Sequence, residues 1–309
     1  MALSIENRLG EEMRRREFIR NCAAGVSTLA FGGVLPRLPS GAGVPDMAVV
    51  KGLDIGKMVG LAVAALGGIE HFIKKGESVL VKPNGAWERT PEQGANTHPE
   101  VVGAIVRLCK GAGASRVVVA DRTCHNAEGA FDKNGIKKAA LAAGAEVIYD
   151  DLKFSTRDWG GKVMHQWGLL DLYAKSDKVI NVPVVKNHGL SKMTCSMKNW
   201  FGVISGKRAL LHQDIHEVIA DMAQSCVPSL TVVDATRILL DNGPTGGKME
   251  DVKTLNLVGA GYDQVALDVW AAGLLGYKWE EVGYLLKAKE RGIGETDLSK
   301  LRLENLDVS

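Results

Sequence analysis

The feature that most restricts the fold is an alternation of short apolar runs with helical patterns between residues 78 and 149. Residues 78–82, 116–120 and 146–149 are mainly apolar, with many valines, and are predicted strands. Helical patterns that end in glycine separate them, and strands with such connections pair in parallel through right-handed crossovers. The sequence therefore predicts an α/β protein with a mostly parallel sheet flanked by helices, a Rossmann-like fold of three layers.

A polar segment follows the next predicted strand, at residues 178–183, and it holds more donors and nucleophiles than a core would accommodate. These side chains are Lys186, Asn187, His188, Ser191, Lys192, Thr194, Cys195, Ser196, Lys198 and Asn199. In open α/β sheets, ligands bind just outside the carboxyl ends of the strands. We therefore predict an active-site or cofactor loop here, at the carboxyl edge of the sheet.

The first 43 residues are predicted to be a twin-arginine signal peptide and linker. Residues 14–20 read RRREFIR, and the apolar run at residues 22–35 suits a signal but is short for a bilayer span. An amphipathic surface helix with a basic start is the alternative. An exported protein would meet the twin-arginine machinery, reach the periplasm or another exported location, and keep no stable membrane span after processing. Residues 44–309 are predicted to form a single domain.

Charge and cysteine spacing exclude two classes of function. The net charge of +2 lacks the basic excess of a nucleic-acid-binding surface, so no nucleic-acid partner is expected. Cysteines stand at positions 22, 109, 124, 195 and 226, and none belongs to a C-x-x-C pair. A self-contained iron–sulfur cysteine motif is therefore not expected.

The chain also resembles the DUF362 domain family. The residues that carry the resemblance are GESVLVKPN at 76–84, THPEVV at 97–102, the strand before Asp121, VINVPVVKNHGLSKMT at 179–194, MKNWFG at 197–202, VVDA at 232–235, NGPTGG at 242–247 and DQVALDVWAA at 263–272. The resemblance covers roughly residues 47–300 and implies one α/β domain, without defining a reaction. Some members of the family carry ferredoxin-like cysteine clusters, which this sequence does not have.

A more remote resemblance is to nickel-pincer lactate racemases. In that family a histidine is followed ten residues later by a lysine that anchors the cofactor, and then by a metal-ligating histidine. His188, Lys198 and His212 stand in the same order here, with the same first spacing. The sequence SKMTCSM replaces the family's glycine-rich turn, and the second histidine lies two residues closer to the lysine. This resemblance implies a metal-containing cofactor, for which nickel, iron and zinc are the candidates.

Three residues are predicted to act in catalysis. His188 follows a buried strand and can be a general acid or base. Lys198 stands at a predicted helix start, where it can anchor an anion or a cofactor. Asp121, at the end of another strand, can orient a histidine or hold a metal. The structural alternatives are a hydrogen-bonded core histidine, a solvated helix start and an ion pair with arginine.

Two further sets of residues complete the predicted site. Those predicted to contact an anionic substrate are Lys82, Asn84, Lys186, Asn199 and Thr194. His212 and His216 are predicted metal ligands, because their i, i+4 spacing would place both rings on one face of a helix. Cys124 and His125 form a weaker candidate for a thiolate pair.

Three functions fit this pattern. The leading hypothesis is an exported enzyme that acts on a small anionic metabolite by proton transfer or redox chemistry with a metal-containing cofactor, as an isomerase or an oxidoreductase. The alternative is a non-catalytic periplasmic protein that binds or delivers an anion or a cofactor. An electron-transfer subunit with a redox partner is the third hypothesis, and the missing cysteine pairs weaken it.

Overall fold

The computed structural model describes Ser27–Thr28 and residues 43–308. The twin-arginine pattern at residues 14–20 lies outside the described residues, so the export signal stays a prediction. No helix within the described part of the chain is both long and apolar enough to cross a bilayer.

The described strands and helices alternate along most of the chain. The strands are β1 (Ser27–Thr28), β2 (Met47–Gly52), β3 (Ser78–Pro83), β4 (Arg116–Ala120), β5 (Glu146–Ile148), β6 (Phe154–Asp158), β7 (Gln166–Leu170), β8 (Lys178–Val182), β9 (Val184–His188), β10 (Lys192–Thr194), β11 (Leu230–Leu239), β12 (Val252–Gly261) and β13 (Leu303–Val308). The α-helices are α1 (Ile55–Ala65), α2 (Ile69–Phe72), α3 (Pro99–Gly111), α4 (Ala127–Lys133), α5 (Ile136–Ala142), α6 (Asp171–Lys175), α7 (Ile215–Ser225), α8 (Gln264–Leu274) and α9 (Gly283–Arg291).

One mixed sheet holds eleven strands, in the order β1-β13-β2-β12-β11-β8-β3-β4-β5, with β9 beside β11 and β10 beside β9. The pairs β11–β12, β12–β2 and β9–β10 are antiparallel. The pairs among β3, β4, β5 and β8 are parallel, as are β8–β11 and β2–β13. The predicted α/β fold with a mostly parallel sheet is therefore confirmed.

Helices cover both faces of the sheet because its central strands are apolar on both sides. Along β3, Val79 and Val81 pack into the core under α1 and α3, while Leu80 packs into the core under α7 and α8. Side chains alternate in direction along a strand, so one apolar strand contributes to two cores. This arrangement leaves the carboxyl ends of β3, β4 and β9 at one edge of the sheet.

Two predictions about local structure were wrong. The predicted active-site loop is largely a hairpin, since β9 and β10 pair antiparallel from His188 opposite Lys192 to Lys186 opposite Thr194. The predicted helix through Lys198 is a short 3₁₀ helix, Lys198–Val203. A helix of this length has little dipole, so the predicted anion site at a helix terminus is not formed here.

Candidate functional site

A cavity of about 780 Å³ opens at the carboxyl edge of the sheet. Of the ten residues predicted to act in catalysis, anion binding or metal ligation, nine line it and His216 does not. Its lining contains six cationic side chains and one carboxylate: Lys82, Arg122, Lys186, Lys198, Lys207, Arg208 and Asp121. The excess of positive charge fits an anionic ligand, and the volume is in the usual range of ligand pockets.

The base of the cavity is a buried polar network, here called the polar floor, of Lys82, Asn84, Asp121, Lys186 and Asn199. Lys82 Nζ lies 2.7 Å from Asp121 Oδ1, and both side chains are buried. Lys82 Nζ also donates to Asn199 Oδ1 at 3.0 Å and to the carbonyl of its own neighbour in the chain. Asp121 Oδ2 accepts from the amide of Gly85 at 2.7 Å. The floor therefore balances its one carboxylate with a lysine.

Asn199 and Asn84 link the floor to three strands. Asn199 Nδ2 donates to the carbonyl of Lys82 at 3.2 Å and to Asn181 Oδ1 at 2.8 Å. Asn84 Nδ2 donates to Asn199 Oδ1 at 3.2 Å, and Asn84 Oδ1 accepts from Lys186 Nζ at 3.1 Å. Buried polar groups are costly without partners, and here each has one. The two asparagines thus fix the relative positions of the lysines.

Lys186 is buried and is only partly protonated at neutral pH. Burial, together with the charge of Lys198, lowers its pKa to about 7. Its Nζ donates to Asn84 Oδ1 and to the carbonyl of Ala95. A neutral amine has two N–H bonds, and both have acceptors here.

Gly202 allows the 3₁₀ helix to pack directly on the floor. A Cβ at this position would overlap the carboxylate of Asp121 and the ammonium of Lys82. The carbonyl of Gly202 accepts from the amide of Arg122 at 2.9 Å, which joins this helix to the end of β4. Any larger residue at position 202 would separate the ion pair from the helix that covers it.

Lys198 is the lysine of the cavity that is both buried and without an acceptor among the described residues. The residue is 8% exposed, and its Nζ lies over the ring of Phe201, 4.9 Å from the ring centroid. Burial lowers its pKa to about 8, so the ammonium form still dominates at neutral pH. A buried ammonium without an acceptor among the described residues could be neutralised by an anionic ligand.

His188 and His212 lie side by side in the cavity, with ring centroids 6.4 Å apart. The Nδ1 of His188 accepts from the amides of Leu190 and Ser191, at 3.2 and 3.3 Å. A ring that accepts at Nδ1 carries its proton on Nε2, so His188 offers an N–H donor. Burial and the charges of Lys198 and Lys186 lower its pKa to about 2, so the ring is neutral.

His212 has the opposite tautomer. Its Nδ1 lies 2.9 Å from the carbonyl of Arg208, and only a protonated nitrogen can donate to a carbonyl. The neutral ring therefore leaves a lone pair on Nε2. Burial lowers the pKa of His212 below its usual 6.5, and the charges of Lys198 and Arg208 act in the same direction, while the hydrogen bond to the Arg208 carbonyl opposes them. The net pKa is lowered, so the ring keeps its lone pair at neutral pH. The two rings offer one donor and one acceptor.

Arg208 and Arg122 hold the wall of the cavity together. Arg208 donates to the carbonyls of Arg122, Phe201 and Thr123, at 3.0, 3.0 and 2.7 Å. Arg122 donates to the carbonyls of Ile204 and Gly206. These guanidinium groups are therefore fixed in place, and their charge remains at the cavity surface.

The predicted pairing of Cys124 with His125 is wrong. His125 Nδ1 accepts from the amide of Glu88, and its ring packs edge-to-face on Trp87. Cys124 instead accepts from Arg208 Nη2, with Sγ 3.4 Å from the nitrogen.

The shared helix face predicted for His212 and His216 is also wrong. His212 ends the 3₁₀ helix Arg208–His212, and α7 begins only at Ile215. His216 packs against Gly283 and Lys287, away from the cavity lining. The break between the two helices therefore separates the two rings.

A metal ion held by protein side chains alone does not fit this site. Among residues 27–28 and 43–308, no three His, Cys, Asp or Glu side chains are grouped so as to hold a metal. Ligation through His188 Nε2 would move its proton to Nδ1, which faces two amide N–H groups. The surrounding lysines would also repel a free cation.

Sequence reasoning missed several residues that build the site. Arg208 and Phe201 gave no signal, because ordinary surface and core positions contain the same residue types. Asp268 was detectable as a carboxylate within an apolar helix pattern. It is fully buried and accepts from the amide of Ser196 at 2.6 Å, which fixes the turn before Lys198. Burial raises the pKa of Asp268 to about 6.

Fold and cavity together define an α/β protein with a cationic cavity at the carboxyl edge of its sheet. Residues 79–273 match the model of a family described as a domain of unknown function, DUF362, and this match covers more than half of the chain. The chain therefore belongs to the DUF362 family, as its motifs predicted.

A curated relative is the thylakoid-associated protein sll1697 of Synechocystis, which is 29% identical over 212 residues. The match covers 66% of this chain and 64% of the relative, so the chain spans less than two thirds of that protein.

Two solved structures are similar in fold. The lactate racemase apoprotein of Thermoanaerobacterium thermosaccharolyticum is 13% identical with a TM-score of 0.45, and the match covers 80% of this chain and 60% of that one. A protein from Thermotoga maritima is 11% identical with a TM-score of 0.42, and the match covers 71% of this chain and 58% of that one. Neither structural likeness bears on function.

Proposed function

We propose that this protein is an enzyme that binds a small anionic metabolite in the cavity and catalyses a proton transfer on it. The observation that carries the proposal is the buried ammonium of Lys198, which has no acceptor in the described part of the chain and lines the same cavity as two histidines of opposite tautomer. A carboxylate or phosphate would supply the missing acceptor. The histidines would supply one proton donor and one proton acceptor.

The roles follow from the hydrogen bonds of each ring. His212 Nε2 is the general base, because the bond from Nδ1 to the carbonyl of Arg208 leaves its lone pair exposed. That bond also stabilises the imidazolium that forms when the ring takes a proton. His188 Nε2–H donates a hydrogen bond to a developing oxyanion without becoming charged, since the pKa of the ring is about 2. Lys198 holds the anion and strengthens both interactions.

These roles change the sequence-based prediction that His188 is a general acid or base. With a pKa near 2, the ring cannot be protonated at neutral pH, so we assign general-base action to His212 instead. For the metal-containing cofactor implied by the sequence, His212 Nε2 offers a single lone pair. One protein ligand suffices only where the cofactor itself supplies the remaining ligands, and such a cofactor would supply redox or electrophilic chemistry.

The test is proton exchange into small carboxylates in D₂O, followed by NMR. A panel of hydroxy, oxo and amino carboxylates is incubated with wild-type protein, His212→Gln and His216→Gln. We expect exchange next to the carboxylate of at least one compound with wild type and His216→Gln. His212→Gln should lower the rate by a factor of about 10² to 10⁴, the usual contribution of a general base. Exchange that is insensitive to His212 would overturn the proposal.

A non-catalytic anion carrier is the second candidate, and the low basicity of His188 favours it. A carrier would bind carboxylates through Lys198 and show no exchange with any compound. The two candidates therefore give opposite results in the same assay, provided that binding is measured in parallel by calorimetry.

We further propose that the chain is exported by the twin-arginine route. The support is the RRREFIR sequence at residues 14–20 and the apolar run that follows it. Replacing Arg15 and Arg16 by lysine should leave the protein in the cytoplasmic fraction. Unchanged fractionation of this double variant would contradict export by this route.

A further inference from the structure

The loop after β4 places an exposed thiol in the cavity. Cys124 lines the cavity and is exposed, whereas Cys109, Cys195 and Cys226 are buried. Burial raises the pKa of Cys109 and Cys226 to about 12, so these two thiols are inert. Reactive cysteines are typically accessible and lie in positively charged surroundings, and Cys124 meets both conditions.

Four basic side chains surround the sulfur of Cys124. The Arg208 guanidinium donates to Sγ at 3.4 Å, and three backbone carbonyls fix that guanidinium in place. Lys82, Lys186 and Lys198 each interact attractively with a negative charge at this sulfur. The proposed proton transfer does not use this thiol.

The position of Lys198 is separate evidence for a ligand in the cavity that Cys124 lines. Its side chain is more than nine-tenths buried, has no hydrogen-bond acceptor among the described residues, and lines the same cavity as the thiol. An anion bound there would lie within the same enclosed volume as the sulfur. A ligand held by its charge in a cavity that also contains an accessible thiol has the groups that covalent catalysis requires.

We propose that Cys124 is a nucleophile that bonds to a carbonyl carbon of the anionic ligand held by Lys198. The inference rests on the proposed anion site and narrows its ligand to a carboxylate that also carries an aldehyde or ketone. The thiolate attacks the carbonyl carbon, an S–C bond forms, and the C=O π bond breaks. Its electron pair moves to oxygen, which takes a proton from the Lys198 ammonium. The product is a neutral hydroxyl on a carbon bonded to sulfur, and the step reverses without any other reactant.

The test compares alkylation of Cys124 by an anionic and a neutral reagent of nearly equal size, iodoacetate and iodoacetamide. In both reactions the thiolate displaces iodide. The full-length protein is labelled native and in urea, and mass spectrometry of the peptide that contains Cys124 gives each rate. Because cationic clefts concentrate anions by a factor of 10 to 10³, the iodoacetate to iodoacetamide ratio should be at least about 10-fold higher in the native protein.

Two variants test whether Lys198 causes the raised iodoacetate to iodoacetamide ratio. Lys198→Met should return the native ratio to within about 2-fold of the ratio in urea, while Lys207→Met, which removes an exposed lysine of the same cavity, should change it much less. Circular dichroism checks that both variants fold. The buried Cys109 and Cys226 should stay unlabelled in the native protein, which provides an internal control for unfolding.

Three outcomes separate this inference from the function on which it rests. A raised ratio that depends on Lys198 supports both. An unchanged ratio in a protein that still binds carboxylates through Lys198 overturns the role of Cys124 and leaves the anion site standing. An unchanged ratio with no carboxylate binding overturns both.

Discussion

The polar floor and the wall above it contain the same kinds of side chain but differ in how far their hydrogen bonds are satisfied. In the floor, Lys82 has three partners and Asn199 connects two strands. In the wall, here called the reactive wall and defined as Lys198, His188 and His212, each side chain presents a nitrogen with no hydrogen-bond partner among the described residues. The unsatisfied groups all face one cavity.

This difference separates structural from functional roles. A buried polar group with all its partners fixes the shape of its surroundings and has nothing left to offer a ligand. A buried polar group without a partner destabilises the folded state, so its presence indicates that a ligand completes it. Mutations in the floor should therefore act on stability, and mutations in the reactive wall should act on binding and chemistry.

The largest effect is expected for Lys82→Met in the floor. The change leaves the carboxylate of Asp121 buried without its cation, and breaking a buried ion pair in this way costs about 3–5 kcal/mol. The free energy of unfolding in urea at pH 7 measures it. Arg116→Met is the control, because the Arg116–Glu146 pair is exposed and should contribute less than about 1 kcal/mol. Similar losses in both variants would contradict the structural role of the floor.

The next largest effect is expected for Lys198→Met in the reactive wall, and it concerns binding. The change removes a charge without an acceptor, so the free energy of unfolding should stay equal or rise. Affinity for a small carboxylate should fall by about 10- to 100-fold, the value of one hydrogen bond to a charged group. Calorimetry measures the carboxylate affinities of wild type and Lys198→Met. Lys207→Met is the control for a general loss of positive charge. A Lys198→Met protein that binds as tightly as wild type would remove the distinction between floor and wall.

A smaller effect concerns pH and Lys186, which belongs to the floor. Its pKa is about 7 in the folded protein and near the ordinary 10.5 in the unfolded chain, so the unfolded chain binds more protons between these values. The free energy of unfolding should therefore rise with pH from about 7 to 10.5, with a contribution from Lys186 of up to about 1.4 kcal/mol per pH unit. Urea titrations at several pH values measure the slope. Lys186→Met should lower that slope, and an equal slope would show that Lys186 is charged when folded.

The sequence was sufficient to predict the layers of the fold and the edge that holds the site. Runs such as residues 78–82 read as strands because buried parallel strands are apolar on both faces, and polar residues directly after them must lie at the carboxyl edge. Lys82, Asn84 and Asp121 were found in this way. By contrast, β13 was missed, because LENLDV is short, alternates weakly and pairs with a strand from the opposite end of the chain.

The division between floor and reactive wall was beyond sequence reasoning. It depends on contacts between distant parts of the chain, such as Asn199 reaching Lys82 across the cavity. The tautomers of His188 and His212 depend on which backbone groups face each Nδ1 nitrogen, and no spacing rule gives that. The error at His216 has a similar origin, since α7 begins after a break that the i, i+4 pattern does not reveal.

The smallest effect is expected for His188→Asn, which distinguishes the roles of the two ring nitrogens. The amide oxygen of asparagine can replace Nδ1 as acceptor for the amides of Leu190 and Ser191, so the free energy of unfolding should change by less than about 1 kcal/mol. The Nε2–H donor is lost, and carboxylate affinity should fall only about 2- to 10-fold, as for a neutral hydrogen bond. His188→Ala leaves both amides without an acceptor, so it should also destabilise the protein. If asparagine and alanine destabilise equally, Nδ1 does not hold the turn, and the tautomer assigned to His188 would be wrong.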